Sequence, residues 1–110
     1  MDRNDLECPE GLDELGRKAY AAIVAELGRL GRTHTGGCRV FYSPAEWKAR
    51  GERYGTDSVL VVVHDGGDHA AVFNFDYGCY EIMEDMRKVL EKVGCFVEQC
   101  TCWHSAVYKI

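Results

Sequence analysis

The run Leu60-Val61-Val62-Val63 constrains this chain more than any other segment. Successive strand residues point to opposite faces, so a strand apolar at four consecutive positions needs cover on both. A sheet with helices on one face and partial cover on the other meets that demand. The run leads into His64-Asp65-Gly66-Gly67-Asp68-His69 and then Ala70-Ala71-Val72-Phe73-Asn74-Phe75-Asp76. Gly-Gly supplies the positive φ angles of a two-residue hairpin turn, which predicts a β-hairpin over residues 58–76. In that register His64 faces His69 and Asp65 faces Asp68. Opposed residues lie about 4.5–5.5 Å apart, and like charges so placed are destabilising. Such a tip is either solvated or bound to something.

The rest of the chain reads as alternating elements. Residues 1–10 read as a flexible acidic leader, and 11–110 as one domain. Leu12, Leu15, Ala19, Tyr20, Ile23, Leu27 and Leu30 follow helical spacing, and Gly31 suits the helix stop. Cys38 to Tyr42 reads as a strand. Ser43-Pro44-Ala45-Glu46 is a capping box with proline at the first helical position, predicting a short helix to about Arg50. A second long helix is expected over 78–93, with Tyr80, Met83, Met86, Val89, Leu90 and Val93 toward the core. Cys95 to Ile110 forms one or two strands, with a bend at Thr101-Cys102. A strand–helix–strand crossover from Phe73 to Val97 would make part of the sheet parallel. The resulting fold class is α+β: a two-layer sandwich with an antiparallel or mixed sheet of four or five strands, two long helices and one short one.

Charge is unevenly distributed. Asp2, Asp5, Glu7, Glu10, Asp13 and Glu14 against Arg3 leave the first 14 residues strongly acidic, and the remainder of the chain is neutral. Residues 29–53 are basic, through Arg29, Arg32, Arg39, Lys48, Arg50 and Arg53 against Glu46 and Glu52, whereas 54–86 contain acids and no lysine or arginine. A nucleic-acid binder normally carries a dominant basic footprint, so no nucleic-acid partner is expected. No apolar stretch approaches the roughly 18 residues of a membrane span, and no membrane partner is expected. Met1-Asp2-Arg3-Asn4-Asp5 lacks the basic start of a secretory signal. A cytoplasmic chain with reduced thiols follows as the expectation, despite six cysteines.

Three groups of side chains could carry chemistry or binding. His64 and His69, with Asp65 and Asp68, could form an acid–base or metal-binding tip. Cys100, Cys102 and His104 would share a face of an unbroken strand, and zinc takes such ligands. The usual Cys-x2–4-Cys spacing is lacking, however, and small buried thiols explain the same pattern. Phe41 and Tyr42 point opposite ways, and Trp47, Arg50 and Tyr54 fall at same-face spacing if the helix continues to Tyr54. With Arg53 they form an aromatic–arginine patch of the kind enriched in interface hot spots.

The segments Tyr42-Ser43-Pro44-Ala45-Glu46-Trp47-Lys48-Ala49-Arg50-Gly51-Glu52-Arg53-Tyr54-Gly55, His64-Asp65-Gly66-Gly67-Asp68 and Cys100-Thr101-Cys102-Trp103 resemble small hypothetical proteins of phages and prophages. The resemblance implies a stoichiometric binder of a protein partner, including the anti-defence, anti-CRISPR-like role of some such proteins. The leading expectation is therefore a small intracellular binding protein without chemistry or cofactor, with a homodimer left open. Its rivals are a metal-binding or hydrolytic module built on His64, His69, Cys100, Cys102 and His104, and a small-ligand sponge.

Overall fold

The computed structural model describes residues 5–110. Its centre is β2, Leu60–Val63, all four residues of which are buried. β2 pairs antiparallel with β1 (Phe41–Tyr42) on one edge and with β4 (His104–Lys109) on the other. β4 in turn pairs antiparallel with β3 (Cys95–Gln99), giving the order β1-β2-β4-β3. The fold is α+β with a four-stranded antiparallel sheet.

Two long helices cover one face. α1, Glu14–Leu30, starts at Asp13, whose carboxylate accepts from the Gly16 N–H at 2.7 Å, and ends at Gly31 in the left-handed region. Gly16 is required by packing: a Cβ there would lie 2.5 Å from the Val59 carbonyl. α4, Tyr80–Lys92, packs beside α1 and runs directly into β3. Ile23, Leu27, Met86 and Leu90 meet Leu60, Val62 and Val107 in the main core. The opposite face of β2, presenting Val61 and Val63, is covered by Trp47 from α2, Pro44–Ala49. The capping box at Ser43 and Glu46 forms as the sequence predicts.

Several expectations fail. Residues 70–76 do not return as a strand. They form α3, Ala70–Phe73, and a 3-10 turn, Phe75–Tyr77. Both edges of β2 are already taken by β1 and β4, and Ala-Ala favours helix over strand. Without that strand there is neither a 58–76 hairpin nor a crossover from Phe73, and every pairing among the described residues is antiparallel. Gly66-Gly67 serves a close crossing of two loops: a Cβ on Gly67 would sit 2.5 Å from the Thr35 carbonyl carbon. Residues 5–10, part of the expected leader, contact the body of the fold. The Asp5 carbonyl accepts from the Val40 N–H at 3.0 Å, and Leu6 and Cys8 pack on the core. Residues 1–4 of that leader lie outside the described residues.

Trp47 is fully buried, and its indole N–H donates to the Tyr54 carbonyl at 2.9 Å. Truncating it leaves a cavity under β2 and removes one of the donors to that carbonyl. Trp47→Ala is expected to cost about 3–5 kcal/mol, read as a lowered urea midpoint by circular dichroism. Tyr54→Ala, at an exposed side chain, should stay within about 0.5 kcal/mol of wild type. A Trp47→Ala protein with the wild-type midpoint would contradict this account of the second core.

Candidate functional site

The histidines expected at an exposed tip lie inside the protein. His64 and His69 are buried, while Asp65 and Asp68 remain at the surface. The two rings are not cross-strand neighbours. His64 closes β2 and stacks on Phe73, with ring centroids 5.7 Å apart, and its Nε2 lies 2.8 Å from Ser105 Oγ. His69 precedes α3, and its Nε2–H donates to the Val63 carbonyl at 2.9 Å. Among the described residues the Nδ1 atoms of both rings lack a hydrogen-bond partner. A carbonyl can only accept, so His69 carries its proton on Nε2 and leaves Nδ1 as a bare acceptor. The same tautomer at His64 avoids burying an unpaired N–H, the costlier alternative.

His104 is buried separately, against Trp47 and Trp103. Its Nδ1 lies 2.8 Å from Thr101 Oγ1, and its Nε2 is 3.3 Å from the Tyr54 carbonyl. Cys100 and Cys102 sit in the turn between β3 and β4, Cys102 exposed and Cys100 half-buried beside the Glu98 carbonyl. Strand β4 begins only at His104, so the unbroken strand face that would align the three does not exist. Among the described residues no three histidine, cysteine or acidic side chains are placed to hold a metal ion.

His64 and Ser105 have the spacing of an activated serine pair, yet both are buried and His64 Nδ1 has no carboxylate to orient it. Burial, reinforced by His69, holds the His64 pKa down at about 4. Burial also lowers those of His69 and His104. These are core residues, kept neutral by their surroundings.

The aromatic–arginine patch is likewise dismantled. Phe41 and Trp47 are fully buried core residues. Helix α2 ends at Ala49, so Trp47 and Tyr54 do not share a helical face. Arg39 and Arg50 instead lie over the Tyr42 and Trp47 rings, at 4.1 and 4.6 Å from the centroids. Arg39 also grips Glu46 through two nitrogens, and Arg50 pairs with Glu52. Arg53 and Tyr54 remain on the surface.

Exposed aromatic surface lies elsewhere. Phe75, Tyr77 and Tyr80 are 59%, 53% and 63% exposed, well above what a core role allows. Tyr80, expected toward the core, opens α4 on its outer side. Phe75 and Tyr80 have centroids 6.5 Å apart and flank a groove of about 260 Å³ between α4 and β3. Val72, Phe73, Met83 and Val97 make it apolar, and Glu84 and Arg87 stand at its rim. A second depression, along β3, includes Phe96 and Glu98 and shares Phe75 with the groove; a third includes Glu81 and Asp85 and shares Tyr80. Arg87 is held between Glu84 and Glu91, and Asp85 pairs with Arg29. Among the described residues Asp76, Glu81 and Glu98 have no ion-pair partner, and Lys88 stands with Glu81 in the third depression. The sequence signal was the cluster Phe75-Asp76-Tyr77-Gly78-Cys79-Tyr80, dense in aromatics where Gly78 breaks regular structure.

The histidines make stability dependent on pH. Their folded pKa values lie below the unfolded value of about 6.5, so the unfolded chain takes up protons first. Stability should be intact above about pH 6.5 and fall as the pH drops toward 4, the value to which His64 is lowered. Each histidine protonated only on unfolding contributes up to about 1.4 kcal/mol per pH unit. Urea midpoints across pH 8 to 4 test this, and a flat profile through that window would refute it. Among the described residues no helix is long and apolar enough to cross a membrane. The chain matches no family model, no curated protein and no solved structure.

Proposed function

We propose that this chain is a binding protein without chemistry of its own, docking a protein partner through the surface around Phe75, Tyr77 and Tyr80. The observation that carries the reading is the exposure of these three rings beside an apolar groove. Exposed apolar patches rimmed by polar groups mark interaction sites, and aromatic anchors dominate binding energy. The histidines and Ser105, which could have supported hydrolysis, are enclosed in the core. The likeness to phage and prophage accessory proteins makes a bacterial defence complex the first partner to test, with the chain acting as a stoichiometric inhibitor.

Once a partner is in hand, two double variants separate the surfaces. Phe75→Ala with Tyr80→Ala should weaken binding roughly 30-fold or more, as true hot spots do, without shifting the urea midpoint. Arg53→Ala with Tyr54→Ala should leave affinity within a few-fold. Loss of binding in the second pair alone, measured by titration calorimetry, would move the site to residues 39–54 and overturn the proposal.

A further inference from the structure

The two edges of the sheet are unlike. The β1 edge is two residues long, Arg39 Nε–H occupies the Phe41 carbonyl at 3.1 Å, and the Asp5 carbonyl takes the neighbouring Val40 N–H. Short length and a covering charged side chain are common ways to blunt an edge. β3, five residues long, pairs only with β4 among the described residues.

The register shows which groups β3 leaves open. Cys100 N–H donates to the His104 carbonyl and Ile110 N–H to the Gly94 carbonyl, so residues 100/104 and 94/110 are hydrogen-bonded pairs. Bonded and non-bonded pairs alternate along an antiparallel ladder. Phe96 and Glu98 therefore bond to β4, while the N–H and C=O groups of Cys95, Val97 and Gln99 point away from the sheet.

Helix α4 flanks this edge. It turns into β3 through Val93-Gly94, and at the far end of β3 the Phe75 N–H donates to Gln99 Oε1 at 3.0 Å. The apolar groove lies on the α4 side of β3, with Val97 and Gln99 in its wall. The depression at Phe96 and Glu98 includes the side chains of the opposite face. An added strand would meet open main-chain groups along its length and a socket on each side for its alternating side chains, the arrangement used in strand addition.

Resting on the docking reading above, we infer that β3 is the acceptor edge for an extended, basic segment of the protein partner, its apolar side chains entering the α4 groove. Charge selects this occupant. Asp76 and Glu98 are exposed and have no ion-pair partner among the described residues, Arg87 is already held by two glutamates, and Lys88 lies on α4 beside Glu81. A second copy of this chain would bring the same carboxylates together, so it is disfavoured by the charge that attracts a basic strand.

The test uses the full chain and a fluorescent heptapeptide alternating lysine with valine or phenylalanine. Comparison peptides replace lysine by glutamate, or carry N-methyl groups on alternate residues in either of the two phasings. Fluorescence anisotropy should show saturable binding of the basic peptide, at least tenfold weaker binding of the acidic one, and loss of binding in one N-methyl phasing only. The amide resonances of Cys95, Val97 and Gln99 should shift on titration. Glu81→Lys with Glu98→Lys should weaken the basic peptide at least tenfold. The inference is overturned by equal binding of both N-methyl phasings, by equal binding of the acidic peptide, or by no binding up to about 1 mM. A concentration-dependent dimer whose formation shifts the Val97 amide also overturns it, since a second copy would then hold the edge. If the Phe75→Ala, Tyr80→Ala protein loses its partner while N-methylation is silent, the surface stands and strand addition falls. If that variant keeps its partner while the basic peptide binds in one phasing, the edge stands and the docking surface falls.

Discussion

Leu60 to Val63 must be hidden on both faces and bonded along both edges, and most of the molecule is arranged around meeting those four requirements. α1 and α4 close one face, Trp47 the other, and β1 and β4 the edges. The demand on the second face is met economically. A six-residue helix is too short to be stable alone, yet its capping box and proline fix where it starts, and its one fully buried aromatic covers Val61 and Val63. Trp103 and Tyr42 pack around that ring, and Arg50 lies over it. Removing the indole would therefore expose the sheet itself.

What was legible in the chain is what neighbours decide. Gly31 ends α1, Ser43 and Glu46 open α2, and Gly94 stops α4, each through contacts only a few residues away. The choice of strand partners was not local. Nothing within residues 58–76 shows that β2 will prefer a strand more than forty residues further on, or that Gly67 faces the Thr35 backbone. The same Gly-Gly pair serves a hairpin turn and a loop crossing equally well, so its presence could not separate the two.

The candidate site was harder to see for a related reason. Histidine reads as polar, but a neutral imidazole ring packs as an aromatic when one nitrogen is bonded, as His64 does on Phe73. Tyr80 fits the apolar stripe of α4 by spacing, yet it stands at the first turn, exposed and beside the exposed Phe75. Trp47 carries an N–H that suits a surface, but the Tyr54 carbonyl satisfies it inside. In all three cases the amphipathic character of the ring left both placements open, and a contact distant in sequence chose between them.

The unequal edges of the sheet also bear on how this protein behaves when crowded. Growth of a ribbon through successive copies requires that each molecule both receive a strand and offer one at its far side. Here the far side is a two-residue stub with Arg39 and Asp5 laid across it. Any edge-to-edge joining through β3 closes after a single junction, so the sheet has no direction in which to polymerise.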